Sequence, residues 1–378
     1  MKHIIIQIES VMKYPPTLSL LNILRGFGHD VILCTSSIDE KVKALCLEKG
    51  IQLRNTGYAY SPKNSAIEKM IKIPLIKRGI KRVLEEGYDQ ETVVWVMTSI
   101  SLKYLGSILN NKRYIMYMFE LSQEIRYYPG LSFLKVNLEK LFQGASAVIE
   151  CEYNRAHIAK AWFGLQKLPF IVPNKPYMDR LDTKMSIEDK HCADVIEGIK
   201  NRTIIIYQGI IDLERPLEPF IDAIADLGDE YALVIMSSDV EKIKHKAKKN
   251  TYLLPFVTPP GHLEITSWAN IGILTYLPVR GETTSPLNAV YCAPNKIFEY
   301  AMFGIPMIGN DIPGLTTEFT KDGIGVSFEN FCKEDIIVAI RKIMSNYDYY
   351  KRNSYEYYLK TDNIETFRKI LQEVDREK

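Results

Sequence analysis

Short apolar runs alternate with helical patterns along this chain, and the alternation occurs in two series. The first series contains the runs HIIIQI, DVILCT, TVVWVM, RYIMYMF and SAVIE, and the second contains TIIIYQG, ALVIM, YLLPFV, IGILTY and IPMIGN. Short continuous apolar runs are typical of strands buried on both faces, as in parallel sheets covered by helices. The alternation therefore predicts an α/β protein with two doubly wound parallel sheets.

The predicted domain boundary lies near the middle of the chain. Residues 178–201 are charged and contain no strand pattern, which indicates a linker or an insertion. A length of 378 residues also favours two domains, each large enough to bury a core. We expect an N-terminal domain at 1–175, a C-terminal domain at 176–354 and a helical tail at about 355–378.

Composition narrows the class of protein. Hydrophobic residues make up 46% and charged residues 25% of the chain, which excludes a disordered or fibrous protein. The formal charge is only +2, so no nucleic-acid partner is expected. The six cysteines are widely spaced without a C-x-x-C pair, which predicts reduced thiols, and the six histidines lack the spacing of a metal site. No bound metal is expected.

We expect the protein to lie in the cytoplasm or to bind the inner face of the cell membrane. The first apolar run is too short for a signal peptide, and no later run is long enough to span a bilayer. Residues 63–82 contain seven basic residues and the single acid Glu68, interleaved with apolar side chains. This composition suits an anionic membrane surface. A solvated basic face is the alternative, and Pro74 is expected to interrupt any single long helix there.

The stretch from Tyr291 to Leu315, YCAPNKIFEYAMFGIPMIGNDIPGL, carries the most information about function. Pro294 suits the first position of a helix, where its missing N–H costs nothing. The free N–H groups at such a helix start, with Lys296 in the first turn, suit a diphosphate. Glu299 follows one turn later and can accept hydrogen bonds from two ribose hydroxyls. An ordinary helix cap followed by a strand is the alternative.

This stretch resembles the nucleotide-sugar binding segment of GT-B glycosyltransferases, particularly glycosyltransferase family 4, which often reads S-P-N-K-x-x-E-Y-x-A-x-G-x-P. The residues in register are Pro294, Asn295, Lys296, Phe298, Glu299, Tyr300, Gly304, Pro306, Pro313 and Gly314. The resemblance implies a GT-B fold with two facing Rossmann-like domains and a C-terminal helix that crosses back to the first. It also implies a nucleotide-sugar donor in the C-terminal domain and an acceptor in the N-terminal domain.

Further donor-site residues are expected in the second half of the chain. Gly209 ends the run TIIIYQG and lets the backbone approach a ligand closely. Resembling enzymes place a Lys or Arg against the donor diphosphate at the position of Arg215, for which a solvated loop charge is the alternative. They wrap the base with backbone groups at the positions of Phe256 and Val257. Backbone contacts do not show in the sequence which base is bound, and we expect the donor to be a UDP-sugar.

The chain departs from the family pattern at one donor position. Family 4 enzymes carry a glutamate eight positions before the residue that corresponds to Glu299, and this chain has Tyr291 there. We also expect Tyr291 and Asn295, which lie in the resembling segment, to contact the donor. The departure also leaves three polar candidates for the sugar in the preceding loop, Glu282, Thr283 and Thr284.

Acceptor-side residues are expected in the first half. After RYIMYM the chain reads F-E-L, where many resembling enzymes have H-E-L, so Phe119 replaces the histidine. Glu120 could orient or deprotonate an acceptor hydroxyl, and a charge at a helix start is the alternative. Glu9, just beyond the first strand, and the loop with Tyr14 and Pro16 correspond to the family's acceptor-side loop.

The resemblance, together with these residues, implies a hexosyltransferase. It would move a hexosyl unit from a nucleoside-diphosphate sugar to a hydroxyl of a lipid-linked glycan or a growing surface polysaccharide. Lys296 and Arg215 would neutralise the leaving diphosphate without a metal ion. The catalytic residues are expected to be Glu120, Arg215 and Lys296, and the resemblance favours retention of the anomeric configuration, with Glu120 orienting the acceptor.

Two alternatives stay open. A nucleotide-sugar 2-epimerase of the same fold would need acid and base groups around one substrate, and the sequence has no evident cluster of them. A non-catalytic nucleotide-sugar binding partner of another transferase is kept open by the departures at Phe119 and Tyr291. The sequence does not determine the base, the sugar, the acceptor, the stereochemistry or the oligomeric state.

Overall fold

The structure is a computed structural model of the chain. It describes residues 1–59, 61, 64–128, 134–178, 184–279 and 285–376, apart from the side chains of Ala66 and Lys69. The chain divides into two compact units, of which the first comprises Met1–Tyr177 and Asp362–Lys378 and the second comprises Met178–Thr361. The chain therefore leaves the first unit once and returns to it at its C-terminal end.

A parallel sheet of seven strands forms the centre of the first unit. The strands are β1 (Lys2–Ile6), β2 (Asp30–Thr35), β3 (Gln52–Asn55), β4 (Thr92–Met97), β5 (Tyr114–Met118), β6 (Ala147–Glu150) and β7 (Phe170–Ile171). Their order in the sheet is β3-β2-β1-β4-β5-β6-β7. The chain starts at a central strand, winds to one edge and then winds to the other, so the sheet is doubly wound.

Helices cover both faces of this sheet. They are α1 (Pro15–Gly26), α2 (Glu40–Lys49), α3 (Ala66–Gly87), α4 (Thr98–Ser101), α5 (Leu138–Gln143) and α6 (Tyr153–Phe163). Successive side chains of a strand point to opposite faces. Ile4 accordingly packs in one cluster with Ile76 of α3, whereas Ile5 packs in the other with Leu20 of α1. Burial on both faces explains why the strand sequences are continuously apolar.

The second unit is built in the same way around six parallel strands. They are β8 (Thr203–Gln208), β9 (Tyr231–Ser237), β10 (Thr251–Pro255), β11 (Ile271–Leu274), β12 (Met307–Asn310) and β13 (Gly325–Phe328). Their order is β10-β9-β8-β11-β12-β13, so β8 is central. The helices are α7 (Lys190–Ile199), α8 (Glu218–Leu227), α9 (His262–Thr266), α10 (Leu287–Val290), α11 (Asn295–Ala301), α12 (Pro313–Asp322), α13 (Lys333–Ser345) and α14 (Tyr347–Lys360).

The last helix, α15 (Asn363–Arg376), belongs to the first unit. Its buried apolar residues recur at helical spacing and are Phe367, Ile370, Leu371 and Val374. The Phe367 ring packs at 5.9 Å from the ring of Trp95 and 6.0 Å from that of Tyr117. This amphipathic pattern gives the C-terminal segment one apolar face, and the core of the first unit buries it.

The structure confirms the predicted doubly wound parallel sheets and corrects three local predictions. Residues 178–201 are not merely a linker, because α7 lies within them and buries Cys192, Ile196 and Ile199 against the sheet, while residues 179–183 lie outside the described part. In α7 the buried face consists of these three side chains, and the charged residues around them hide it from the sequence pattern.

The helix α3 is continuous through Pro74, contrary to the prediction. The core contacts of Ile73, Ile76 and Ile80 offset the hydrogen bond that proline removes. The helix α11 begins at Asn295, and Pro294 precedes it in an extended conformation with φ −74° and ψ 137°. None of the described helices is long and apolar enough to cross a membrane.

Candidate functional site

The carboxyl end of β8 forms the centre of a candidate site in the second unit. Gly209 follows this strand with a φ of 138°, a conformation that other residues rarely adopt. A Cβ atom at Gly209 would lie 3.4 Å from Nζ of Lys296, so glycine leaves space for the ammonium group. Lys296 reaches this point from the first turn of α11. The structure thus brings together two residues that are far apart in the sequence.

Two tyrosine rings lie against the Lys296 ammonium group. Nζ is 4.6 Å from the ring centroid of Tyr207 in β8 and 5.5 Å from that of Tyr276, which follows β11. Asn310, at the end of β12, holds the backbone of Tyr276 by donating to its carbonyl oxygen at 2.8 Å and accepting from its N–H at 2.9 Å. Cation–π contacts of this kind hold an ammonium group in place without neutralising it.

Burial and a second cation change the titration of Lys296. Burial of the amine, and then the positive charge of Arg215, lower the pKa of Lys296 to about 7, while Glu299 acts in the opposite direction. Lys296 is therefore partly neutral at neutral pH. An anion bound beside it would favour the charged form, so a phosphate group would be bound together with a proton.

Two carboxylates hold Arg215 in the loop between β8 and α8. Its Nη1 lies 2.8 Å from Oδ2 of Asp212, and its Nη2 lies 2.6 Å from Oε1 of Glu214. The guanidinium carbon lies 5.2 Å from the ring centroid of Tyr276. A guanidinium has five N–H donors in a planar fork, so these two pairs orient the group and leave donors for a ligand.

The carboxylate of Glu299 contacts two other elements. Gln208 Nε2 donates to Oε2 of Glu299 at 2.5 Å, and His262 Nε2 lies 3.4 Å from Oε1. Thr266 lies one turn after His262 in α9 and donates through its hydroxyl to Gln208 Oε1 at 2.6 Å. Each carboxylate oxygen has two lone pairs, so Glu299 can still accept hydrogen bonds from a ligand.

The other predicted donor-site residues lie on three segments of the second unit. Tyr291 follows α10 and Asn295 begins α11, and both are half-buried. Phe256 and Val257 follow β10, where the side chain of Phe256 is exposed and that of Val257 is half-buried. The candidates Glu282, Thr283 and Thr284 lie outside the described residues.

The start of α12 explains the Pro-Gly pair in the sequence motif. A Cβ atom on Gly314 would lie 2.5 Å from the backbone nitrogen of Cys292 and 2.9 Å from the carbonyl carbon of Tyr291. Only glycine allows this close approach of two backbones. Gly314 therefore fixes the position of the segment that leads into α11.

A second candidate cluster lies in the first unit, after three neighbouring strands. Glu9 follows β1, Thr98 follows β4 and Glu120 follows β5. The Tyr14 hydroxyl donates to Oε2 of Glu9 at 2.6 Å, and its ring stacks on Phe119 with centroids 5.8 Å apart. Burial raises the pKa of Glu9 and so does Glu120, against the hydrogen bonds from Tyr14 and Thr98. This cluster is acidic and can accept hydrogen bonds from hydroxyl groups.

The backbone at Thr98 is strained. Its φ is 65°, which is rare for a β-branched residue and costs roughly 1–3 kcal/mol. The Thr98 hydroxyl lies 3.4 Å from that of Ser101, which accepts a hydrogen bond from the Ile8 N–H at 3.2 Å. The strained conformation therefore brings the end of β4 against the segment that carries Glu9.

The remaining acceptor-side residues differ in exposure. Glu120 is exposed, whereas Pro16 is buried in the first turn of α1 and stiffens the loop that carries Tyr14. Arg155 in α6 donates from Nη1 to the Phe119 carbonyl oxygen at 2.7 Å. This bond anchors the backbone immediately before Glu120.

Sequence reasoning missed several residues of both clusters. These are Tyr207, Gln208, His262, Thr266, Tyr276 and Thr98. One signal was available, because Gln208 is a polar residue at the end of an apolar strand, immediately before Gly209. The part of the chain that the structure describes contains no group of three or more His, Cys, Asp or Glu residues that could hold a metal ion.

The two parallel sheets, each wound in the Rossmann manner, define the class of the fold as GT-B, which confirms the prediction. A crystal structure of Anabaena Alr3699/HepE in complex with UDP-glucose is similar over 100% of both chains, with a TM-score of 0.71 and 12% identity. A glycosyltransferase from Rickettsia africae is similar over 100% of this chain and 96% of its own, with a TM-score of 0.61 and 10% identity.

A third similar structure is a Listeria monocytogenes protein described as a UDP-N-acetylglucosamine 2-epimerase. The likeness covers 94% of this chain and 90% of the other, with a TM-score of 0.58 and 12% identity. No family model and no curated protein sequence matches the chain. At these identities the structural likeness establishes the fold alone.

Proposed function

We propose that the protein is a glycosyltransferase of the family 4 type that transfers a hexosyl unit from a UDP-sugar to an acceptor hydroxyl. The observation that carries the proposal is the pair of cations, Lys296 and Arg215, on tyrosine rings beside Gly209, with Glu299 one turn further along α11. A diphosphate needs positive charge and a ribose needs hydrogen-bond acceptors. The complex of Anabaena HepE with UDP-glucose supports the choice of nucleotide.

In the proposed reaction, the two cations stabilise the leaving group. Negative charge develops on the diphosphate as its bond to the sugar breaks, and Lys296 and Arg215 offset that charge where it forms. Cations held in advance by rings and carboxylates need no rearrangement at that moment. We therefore propose a metal-independent transfer, with Gly209, Tyr291 and Asn295 beside the donor and the backbone of Phe256 and Val257 beside the base.

The acidic cluster of the first unit is the proposed acceptor site. Glu9 and Glu120 can accept hydrogen bonds from a sugar hydroxyl, and Tyr14 holds the Glu9 carboxylate in one orientation. We propose retention of the anomeric configuration, with the departing phosphate taking the acceptor proton and Glu120 orienting the hydroxyl. The proposed acceptor is a lipid-linked glycan or a growing surface polysaccharide.

We propose that the helix α3 binds the anionic lipids at the inner face of the cell membrane. One face of this helix exposes Ile67, Met70 and Ile71, with side chains 71%, 49% and 59% exposed. The same face continues into the exposed residues Arg78 and Lys81. Apolar side chains followed by basic ones suit a surface of anionic lipids. Lys63 and the side chain of Lys69, which belong to the same basic segment, lie outside the described residues.

Co-sedimentation with vesicles tests this membrane contact. The protein should sediment with vesicles that contain anionic lipid and not with neutral vesicles, and an Ile67→Glu, Ile71→Glu variant should lose the binding. A Leu47→Glu variant, which changes an exposed apolar side chain on α2, is the matched control. Equal binding of the double variant would remove α3 from the contact.

A nucleotide-sugar 2-epimerase is the second candidate function, favoured by the likeness to the Listeria protein. An epimerase converts its donor without an acceptor, whereas a transferase releases the nucleotide only on transfer or slow hydrolysis. Incubation of the purified protein with UDP-, GDP- and dTDP-sugars, with and without glycan acceptors, tests both. Release of UDP that depends on an acceptor supports the transferase. Formation of a C2 epimer from the donor alone would support the epimerase instead.

A further inference from the structure

Two buried polar side chains, Gln208 and His262, contact the carboxylate of Glu299, and a third, Thr266, contacts Gln208. We call these three residues the Glu299 support. They come from two elements, the end of β8 and the helix α9, while Glu299 itself lies on α11. Gln208 is 5% exposed, Thr266 is fully buried and His262 is 9% exposed. Side chains packed to this degree have little freedom to change rotamer.

The hydrogen bonds of this group form a chain that ends at Glu299. The Thr266 hydroxyl lies 2.6 Å from Gln208 Oε1 and 2.9 Å from the His262 carbonyl oxygen, and its donation to Gln208 sets the orientation of the amide. The amide nitrogen then donates to Glu299 Oε2 at 2.5 Å. His262 Nε2 lies 3.4 Å from the other oxygen, Oε1, and Nδ1 of the same ring has no hydrogen-bond partner among the described residues. The polar contact available to the His262 ring is therefore the one with Glu299.

We propose that the Glu299 support is a specificity device, which makes the site select nucleotides that carry both ribose hydroxyls. The inference rests on the proposed function, since that function assigns Glu299 to the ribose. Gln208, His262 and Thr266 act as positioning residues, because they contact Glu299 or each other. They hold both carboxylate oxygens in place and leave the remaining lone pairs for the two hydroxyls.

Preorganisation is the physical reason for this selectivity. A glutamate free to rotate would lose conformational entropy each time it bound a ribose, and a held glutamate has already lost it on folding. The gain applies only to a ligand that forms these hydrogen bonds. A nucleotide without ribose hydroxyls gains nothing from an oriented carboxylate, so the support raises affinity for one nucleotide and not for the other.

The experiment compares two probes, UDP and 2′,3′-dideoxyuridine 5′-diphosphate, by calorimetric titration of the full chain. Thr266→Val removes the hydroxyl and keeps the shape, and Thr266→Ser is its matched control. His262→Phe removes the ring nitrogens, and His262→Gln keeps an N–H donor. We expect Thr266→Val and His262→Phe to reduce the preference for UDP by about fivefold, with the affinity for the dideoxy nucleotide unchanged within about twofold. The two control variants should keep the wild-type preference.

The outcomes separate this inference from the proposed function. Equal losses for both nucleotides in Thr266→Val would show a general structural role and overturn the inference. An unchanged preference in both Thr266→Val and His262→Phe, with the preference lost in Glu299→Ala, would also overturn it while leaving the donor site intact. A wild-type protein that binds UDP without preferring it over the dideoxy nucleotide would overturn the assignment of Glu299 to a ribose and with it this inference, while the two cations would still define the donor site. A wild-type protein that binds neither probe would overturn the proposed UDP-sugar donor.

Discussion

The two candidate clusters lie at equivalent places in two sheets of the same kind, yet the side chains at the strand ends differ in charge. The cluster of the second unit combines two cations with carboxylates, whereas that of the first unit presents carboxylates. In the second unit, the end of β8 is surrounded by Lys296 and Arg215 on tyrosine rings. In the first unit, the ends of β1 and β5 carry Glu9 and Glu120. The parallel sheet therefore determines where a ligand can bind, and the residues just after each strand determine which ligand it is.

Burial acts on both clusters in the same physical sense. It lowers the pKa of Lys296 and raises the pKa of Glu9, so in each case it disfavours the charged form. A diphosphate would restore the charge of Lys296, whereas a neutral sugar hydroxyl would leave Glu9 as it is. Donor binding should consequently depend on pH near neutrality more strongly than acceptor binding.

Removal of either cation, which is present only in the cluster of the second unit, is expected to have the largest effect. Lys296→Ala should lower kcat by about 100- to 1000-fold, because a charge aimed at the leaving group acts in the transition state, and Arg215→Ala should have a smaller effect in the same direction. Steady-state kinetics measures both, and thermal unfolding checks that each variant folds. Lys249→Ala, at an exposed pair with Asp229, is the matched control. Wild-type kinetics in both variants would mean that the diphosphate binds elsewhere.

The next effect is expected at Glu299. Glu299→Ala should weaken binding of UDP by about 1.5 to 3 kcal/mol, because charge-assisted hydrogen bonds to the ribose are lost. Calorimetric titration measures the change. Unchanged affinity would remove Glu299 from the donor site, and the cations alone would then define it.

A histidine at the opposite end of the first sheet should affect stability and not binding. His3 Nε2 lies 2.9 Å from His29 Nδ1, and the Trp95 indole donates to His3 Nδ1 at 3.1 Å. Burial, and then the charge of His29, lower the pKa of His3 to about 3. Below about pH 6.5, the ordinary pKa of histidine, His3 therefore binds a proton in the unfolded chain but not in the folded chain. The free energy of unfolding consequently falls as the pH drops from about 6.5 toward 3.

Urea unfolding at pH 7 and pH 5 measures this loss. We expect the free energy of unfolding to fall by about 2 kcal/mol through His3 between these values, and the fall should be smaller in His3→Gln. His157→Gln, at an exposed histidine of the same unit, should behave like the wild type. An equal fall in His3→Gln would assign the acid sensitivity to other groups.

The affinity for the donor should also depend on pH, because Lys296 titrates near neutrality. With the pKa of free Lys296 at about 7, UDP affinity should fall by about tenfold between pH 7 and pH 8.5, because the charged amine becomes the minor form. A Lys296→Arg variant keeps its charge throughout this range, so its affinity should change little. Titration calorimetry at several pH values measures both proteins. A parallel fall in the two would show that another group titrates.

The smallest effect is expected on the acidic side. Glu120→Gln should lower transfer by less than about tenfold, since a carboxylate that only orients the acceptor is partly replaced by an amide oxygen. Proton NMR of the first-formed product should show the anomeric configuration of the donor. An inverted product, together with near-total loss of transfer in Glu120→Gln, would instead make Glu120 the general base.

The sequence by itself determined ten of the thirteen described strands, and it missed β3, β7 and β13. Continuous apolar runs identified the buried strands, because burial on both faces leaves no polar alternation. The spacing of Lys296 and Glu299 within one helix is local, so it could be derived without a fold. Local spacing also explains the errors, since Pro74 and the charged surroundings of α7 carried signals that packing overrode.

Tertiary structure alone decided which distant residues meet. Gln208, His262 and Glu299 come from three elements, and only the order of strands and the helix packing bring their polar atoms to 2.5 Å and 3.4 Å from one another. The same holds for Tyr276, which the end of β12 holds against Lys296, and for the strained turn at Thr98. Periodic patterns record which face of an element is buried, but contacts across the sequence depend on how the elements pack, which no local pattern encodes.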